Sequence, residues 1–243
     1  MLFLEPPGEL PRGINAVFTT RVGGVSRGPF ATLNLATHVD DDPADVEENR
    51  QRLSAALALP STPCWLNQVH GNRVALAGDA DASYTRTKGK VLCIQVADCV
   101  PILAWSDEGE EIAAIHAGWR GLHEGVIAAA LGRFRSSQVT AWIGPHIRQC
   151  HYEVGQDVAD FFQASHDSAF QPSTSAGHWM MSLSMIVRQQ LIEAGVRDIR
   201  ETSECTSCDA GRYFSFRRDG TCGRMAALIW RNSAETRING NGT

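Results

Sequence analysis

Three segments of this 243-residue chain share one design, each placing a side chain suited to metal or thiol chemistry: His70 in "NQVHGN", Cys99 in "QVADCVPILAW" and His116 in "AAIHAGWRG". Two imidazoles and a thiolate make a good zinc set. Three protein ligands leave a fourth position open for water, the arrangement of a catalytic zinc site. The same trio suits a cysteine nucleophile with one histidine as its base. The remaining alternative is a packed thiol and two hydrogen-bonded histidines, a common fate of these residue types. Spacing along the chain does not choose among the three.

Asp98, next to Cys99, is the anomaly of its segment. A carboxylate inside an apolar strand is costly unless it is paired or takes up a proton. Strand alternation sends Asp98 and Cys99 to opposite faces unless the strand ends or bulges there, and Pro101 favours such an interruption. Asp98 therefore reads as a support that accepts hydrogen bonds from a neighbouring loop.

Other segments offer weaker chemistry. Arg21 with Gly23 and Gly24 in "TTRVGGVSRG" suits a phosphate or carboxylate, or is an ordinary hairpin turn. Arg120 in "GWRG" opens a helix, where anions are favoured. The segment "HIRQCH", His146 to His151, is a second metal candidate. Cys205 and Cys208 form a C-x-x-C with no second C-x-x-C partner and read as two free thiols. No P-loop, G-x-G-x-x-G, H-E-x-x-H or G-x-S-x-G motif is present. An active site must therefore be assembled from separated segments.

The elements that position these residues are legible in outline. Residues 16–24 read as a strand entering a glycine turn. Asp42 to Leu59 reads as a helix with Asp42 as N-cap and Pro43 in its first turn. "CWLNQVHGNRVAL" suggests strand, turn and strand. Cys93 to Trp105 reads as one strand, and Glu111 to Gly121 as a strand ending in a turn. A helix is expected from about Leu122 to Phe134, then a strand in "VTAWIGPHI". "VGQDVADFFQAS" and "SLSMIVRQQLIEAG" read as amphipathic helices, the second closed by Gly195. "RYFSFRRDG" and "RMAALIW" suggest a hairpin-like pair. The pattern predicts an α/β or α+β fold with mixed sheets and outer helices. One domain is expected over residues 1–233, followed by a loose tail at 234–243.

Composition limits the function classes. Apolar residues make up 43% and charged residues 20%, an ordinary globular balance. The formal net charge is -5, and no basic stripe supports nucleic-acid binding. No apolar run approaches a membrane span, and the N-terminus lacks the basic region of a signal peptide. Seven cysteines, an odd number, suit reduced thiols. A cytoplasmic protein without membrane or nucleic-acid partners is expected.

Taken in order, "TTRVGGVS", "LNLATHVDDDP", "VEENRQRL", "LNQVHG", "ADCVPIL", "AAIHAGWRGL", "IGPHI…YEVG" and "FSFRRDGTCGRMAALIW" resemble the YfiH family, also called laccase-like polyphenol oxidases and peptidoglycan editing factors. The resemblance runs from about residue 15 to residue 231. It implies a single α/β domain similar to the catalytic domain of cytotoxic necrotizing factors, which carries a cysteine–histidine site. It also implies zinc on His70, Cys99 and His116, with these residues as the catalytic centre.

The implied activity is phosphorolysis of adenosine, inosine, guanosine or methylthioadenosine, combined with deamination of adenosine. Zinc would activate water for attack at C6 of the purine. Arg21, Arg120 and Arg217 are candidates for holding phosphate, and Asn34 and Gln68 for orienting ribose or base. Copper is the other metal candidate. A polyphenol oxidase and a Cys99-dependent amidase acting on a cell-wall precursor are the alternative activities. A multicopper oxidase needs many closely paired histidines, whereas this chain has eight and no H-x-H pair. The chain departs from the family pattern at His146 and at Cys150-His151, and Cys208 is another departure.

Overall fold

The computed structural model describes residues 1–232, so the tail expected at 234–243 lies outside the described residues. The strands are β1 (Phe3–Leu4), β2 (Ile14–Thr19), β3 (Ala82–Thr85), β4 (Val91–Val96), β5 (Val100–Ser106), β6 (Ile112–Ala117), β7 (Val139–Ile143), β8 (Glu153–Gly155), β9 (Phe170–Pro172), β10 (His178–Met181), β11 (Asp198–Glu201) and β12 (Met225–Arg231). The α-helices are α1 (Pro43–Ala56), α2 (Trp119–His123), α3 (Val126–Leu131), α4 (Gln156–Ala159), α5 (Gln163–His166), α6 (Leu183–Glu193) and α7 (Phe216–Asp219).

Two main sheets form the centre of a single mixed α/β domain. One has the order β1-β2-β12-β4 and the other β11-β7-β5-β6-β3. Pairing is antiparallel except between β11 and β7, so the second sheet is mixed. A smaller sheet, β8-β10-β9, lies outside them.

The central strands of the two main sheets read as continuous apolar runs because both of their faces are covered. Along β12, Met225, Ala227 and Ile229 join one core with Phe18, Ile94, Leu103, Trp105 and Trp142 from both sheets. The alternate residues Ala226, Leu228 and Trp230 pack with Val17, Leu33, Leu35 and Leu53, the last from α1. Ile102, Ala104, Ile115 and Ile143 form a third core with Ile127 of α3 and Ile186, Val187 and Leu191 of α6. The period of two therefore selects between two buried layers instead of between core and water. Each fully buried aliphatic side chain contributes about 1.5–3 kcal/mol relative to exposure.

Several sequence expectations require correction. Cys93 to Trp105 is two strands in different sheets, joined by a bend at Ala97–Cys99 where Asp98 has φ +92°. Pro101 does not end a strand; it pairs with His116 inside the second sheet. The segment "CWLNQVHGNRVAL" makes only isolated bridges, such as Cys64 with Leu92 and Val74 with Ala82. The helix expected at 122–134 is split into α2 and α3 by Gly125, whose φ is +81°. The helix in "VGQDVADFFQAS" is likewise two short pieces, α4 and α5. "RYFSFRRDG" carries the single-turn α7, so β12 pairs with β2 and β4 and has no hairpin partner there. The helices α1 and α6 form as expected, with the Asp42 carboxylate capping α1 through the Ala44 N–H.

Candidate functional site

The fold brings His70, Cys99 and His116 together, with one possible ligand atom from each within 4.8 Å of the others. Cys99 immediately precedes β5 and His116 lies near the end of the neighbouring antiparallel β6, which places both at one end of the sheet. His70 arrives on the irregular loop before β3. Its ring meets that of His116 edge-on, with centroids 4.8 Å apart.

Asp81 organises this meeting, and no sequence signal had singled it out. It immediately precedes β3, is fully buried, and lies 2.8 Å from Nδ1 of His116. The same carboxylate accepts the backbone N–H groups of Val69, His70 and Gly71 at 3.1, 2.9 and 2.7 Å. These bonds hold His70 at φ +61°, a left-handed backbone that is uncommon for histidine. Gln68 anchors the other side of the loop by exchanging hydrogen bonds with the Gln95 backbone on β4.

Gly118 is required by close approach. A Cβ there would lie 2.9 Å from Nδ1 of His70 and 3.1 Å from Sγ of Cys99.

Asp98 has the supporting role expected of it. It is buried, and its carboxylate accepts from Thr206 Oγ1 at 2.6 Å and from the Arg217 N–H at 2.7 Å. Its carbonyl accepts the Ile147 N–H. The left-handed bend at Asp98 separates β4 from β5, so the alternation rule does not govern Asp98 and Cys99.

The site charges its two imidazoles differently. Burial opposes protonation of His116, but Cys99 and Asp81 outweigh it and raise the ring to about 9. His70 is exposed as a residue, but desolvation of its ring against the neighbouring site, followed by the charge on His116, lowers it to about 4. Asp81 resists the upward pull of burial through His116 and its backbone donors, and stays below the ordinary carboxylate range. Burial pushes the Tyr152 phenol upward, and the charge of Cys99 adds to that effect.

Of the other expected site residues, Arg120 and Arg217 lie at the rim. The Arg120 guanidinium covers the Trp119 ring at 4.4 Å, and its charge acts on His70. Arg217 lies 5.0 Å above the Tyr152 ring and donates to the Glu153 carbonyl. Asn34 is buried. Its amide donates to the Ala36 carbonyl and Asp41, and its oxygen accepts from Ala36 and Arg224, which leaves nothing for a ligand. Arg21 donates to the carbonyls of Ala31 and Ala210. The N–H groups of Gly23 and Gly24 both donate to Thr32 Oγ1, so this turn is not an open anion cradle.

The second metal candidate is rearranged. His146 turns inward, is fully buried, and bonds Gly144 O through Nδ1. His151, with Cys150, instead meets Cys205 and Cys208. The C-x-x-C read as two free thiols thus has partners.

The model of the family described as multi-copper polyphenol oxidoreductase laccase matches residues 15–232. The chain belongs to this family. Members named purine nucleoside phosphorylase YfiH are 42% identical in Escherichia coli and 43% identical in Shigella flexneri, each match covering 93% of this chain and 98% of the relative. The crystal structure of a Neisseria meningitidis protein superimposes with a TM-score of 0.90 at 36% identity, covering 95% of this chain and 99% of that one. YlmD from Geobacillus stearothermophilus superimposes with a TM-score of 0.85 at 35% identity, covering 91% and 93%. Among the described residues, no helix is long and apolar enough to cross a membrane.

Proposed function

We propose that this family member is a zinc-containing purine nucleoside phosphorylase that also deaminates adenosine. The observation that carries the reading is the convergence of His70, Cys99 and His116, with Asp81 holding the two histidines, in a chain 42% identical to a relative named for that phosphorolysis.

The residues fit a metal. Nδ1 of His116 is taken by Asp81, which leaves Nε2 to ligate, and a carboxylate behind a ligating histidine is the usual arrangement. When bound, zinc would supply Lewis acidity and a water of lowered pKa. Asp81 fixes the tautomer and direction of His116 and the path of the His70 loop. Arg120 and Arg217 offer positive charge at the rim for inorganic phosphate, while Tyr152 keeps its proton and can donate it in a hydrogen bond. The exposed Phe161 stacks on Trp119 with centroids 5.7 Å apart, giving an aromatic surface beside Arg120 for a purine.

The family description favours a polyphenol oxidase as the second reading. Among the described residues, the two groups able to hold a metal contain two histidines and one histidine. That is too few for the paired-histidine copper sets of such an oxidase, so weak oxidase activity with copper would be a side reaction of the trio.

Incubation with adenosine in phosphate buffer, with products separated by chromatography, tests the proposal. Adenine with ribose 1-phosphate is expected from phosphorolysis, and inosine from deamination. A full panel of purine nucleosides left intact would overturn it.

A further inference from the structure

We infer that Cys150, His151, Cys205 and Cys208 form a second, structural zinc site that clips together two loops behind the candidate active site. Their four possible ligand atoms lie within 4.8 Å of one another. Cys150 Sγ is 4.0 Å from Cys205 Sγ and 3.9 Å from Cys208 Sγ. Nδ1 of His151 is 3.1, 3.4 and 3.9 Å from the sulfurs of Cys150, Cys208 and Cys205.

Those five separations are close to the edges of one tetrahedron, and the sixth pair, Cys205 and Cys208, lies within the same 4.8 Å. Zn–S bonds of about 2.3 Å put two tetrahedral sulfurs about 3.8 Å apart, and a Zn–N bond of about 2.0–2.1 Å puts nitrogen about 3.5 Å from sulfur. A disulfide needs only two thiols. Here three thiols and an imidazole gather at one point, which is a complete Cys3His set with no position left for water. Structural zinc sites are closed in this way, in contrast to the three-ligand trio.

The surroundings favour a thiolate at Cys205, whereas desolvation and the neighbouring thiols push Cys150 and Cys208 upward, a mutual opposition that a bound cation would relieve. The Arg148 N–H donates to Cys205 Sγ at 3.4 Å. Burial resists ionisation of Cys205, but the N–H groups of Arg148, Cys208 and Ser207 outweigh it and hold the thiol below its ordinary value. On loading, each of the three thiols gives its proton to solvent, and Zn2+ with three thiolates and a neutral imidazole carries one net negative charge.

The cluster joins the loop after β7 to the loop after β11, Cys150 and Cys205 being 55 positions apart. The loops already touch through a parallel bridge between His146 and Cys205. They also carry Ile147 and Thr206, which donate to Asp98, and Tyr152 directly follows His151. A clip here fixes the wall that supports Asp98 and the bend leading to Cys99. Closing a long loop is where such a clip constrains the unfolded chain most. The site is separate from the trio and does not depend on the reaction proposed above.

Metal analysis of the full chain after purification with zinc under reducing conditions tests the inference. Cys150→Ala/Cys208→Ala is expected to hold one zinc fewer than the wild type, and Cys99→Ala to keep the clip zinc. Alkylation of the wild type reads the same site without a variant. Cys150 and Cys208 are exposed, so as free thiols they would be modified at once. With zinc they are expected to be protected, and a chelator should release them. Equal zinc in the double variant and the wild type, prompt alkylation in the presence of zinc, or a Cys150–Cys208 disulfide in the reduced preparation would each overturn it.

Discussion

Nδ1 of His116 lies 2.8 Å from the buried Oδ1 of Asp81, and that carboxylate also accepts three consecutive backbone N–H groups around His70. One carboxylate thus sets the position of two of the three candidate ligands. Asp81→Asn replaces one accepting oxygen with an amide donor and disturbs both. Zinc affinity is expected to fall by about 10–100-fold, the usual cost of losing a partner behind a ligating histidine. Titration against a competing chelator reads this directly, and an unchanged affinity would show that Asp81 is not the support.

Gly118→Ala tests how closely the site is packed. The backbone there has an ordinary φ of -79°, so the substitution strains nothing except the space between His70 and Cys99. Activity on nucleosides should fall at least about tenfold, since a displacement of about 1 Å at a reacting centre can cost about a hundredfold. The thermal midpoint should change little. Full activity would mean that His70 and Cys99 are free to separate.

Asp98→Ala removes the acceptor of Thr206 Oγ1 and of the Arg217 N–H. Leaving the buried Thr206 donor unpaired costs about 1–3 kcal/mol, and the part-buried Arg217 N–H, open to water, costs less. Asp98→Asn should be milder, because asparagine tolerates positive φ and keeps one acceptor oxygen. Urea unfolding is expected to rank the proteins wild type, Asn, Ala. Equal midpoints for the three would remove Asp98 from the supports of the bend.

The stability of metal-free protein should peak near neutral pH. His70 is lowered to about 4, so between there and the unfolded value of about 6.5 the unfolded state binds more protons and stability rises with pH. His116 is raised to about 9, so from about 6.5 to that value the folded state binds more protons and stability falls as pH rises. Thermal midpoints of chelator-treated protein across this range check the sign. Midpoints that climb steadily through the alkaline half would contradict the charge assigned to His116.

The parts of this architecture with one clear pattern were readable in the sequence. Asp42-Pro43 announces α1, and the apolar spacing of "SLSMIVRQQLIEAG" announces α6. The change of sheet inside Cys93 to Trp105 was not readable, because both halves are apolar on both faces and periodicity does not mark the bend. The one available mark was Asp98 itself, a residue type that tolerates the left-handed conformation.

The trio was legible by residue type, whereas Asp81 lay hidden in the polar stretch "GDADASYT". Its signal was a carboxylate immediately before a short strand. Cys150-His151 and Cys205–Cys208 could not be joined by spacing, because only the parallel bridge at His146 brings their loops together. Asn34 had a suitable side chain, but the fold uses its polar atoms itself, and Arg21 donates from Nε and Nη1 to the carbonyls of Ala31 and Ala210.

The proposed role of His70, Cys99 and His116 as the centre of nucleoside phosphorolysis is tested most directly by the rate of phosphate-dependent adenine release from adenosine by the wild type and by Cys99→Ala. Turnover by the wild type and a loss of at least about a hundredfold in the variant are expected, as for loss of a major catalytic group. Equal rates in the two proteins, or no adenine from the zinc-loaded wild type, would contradict it.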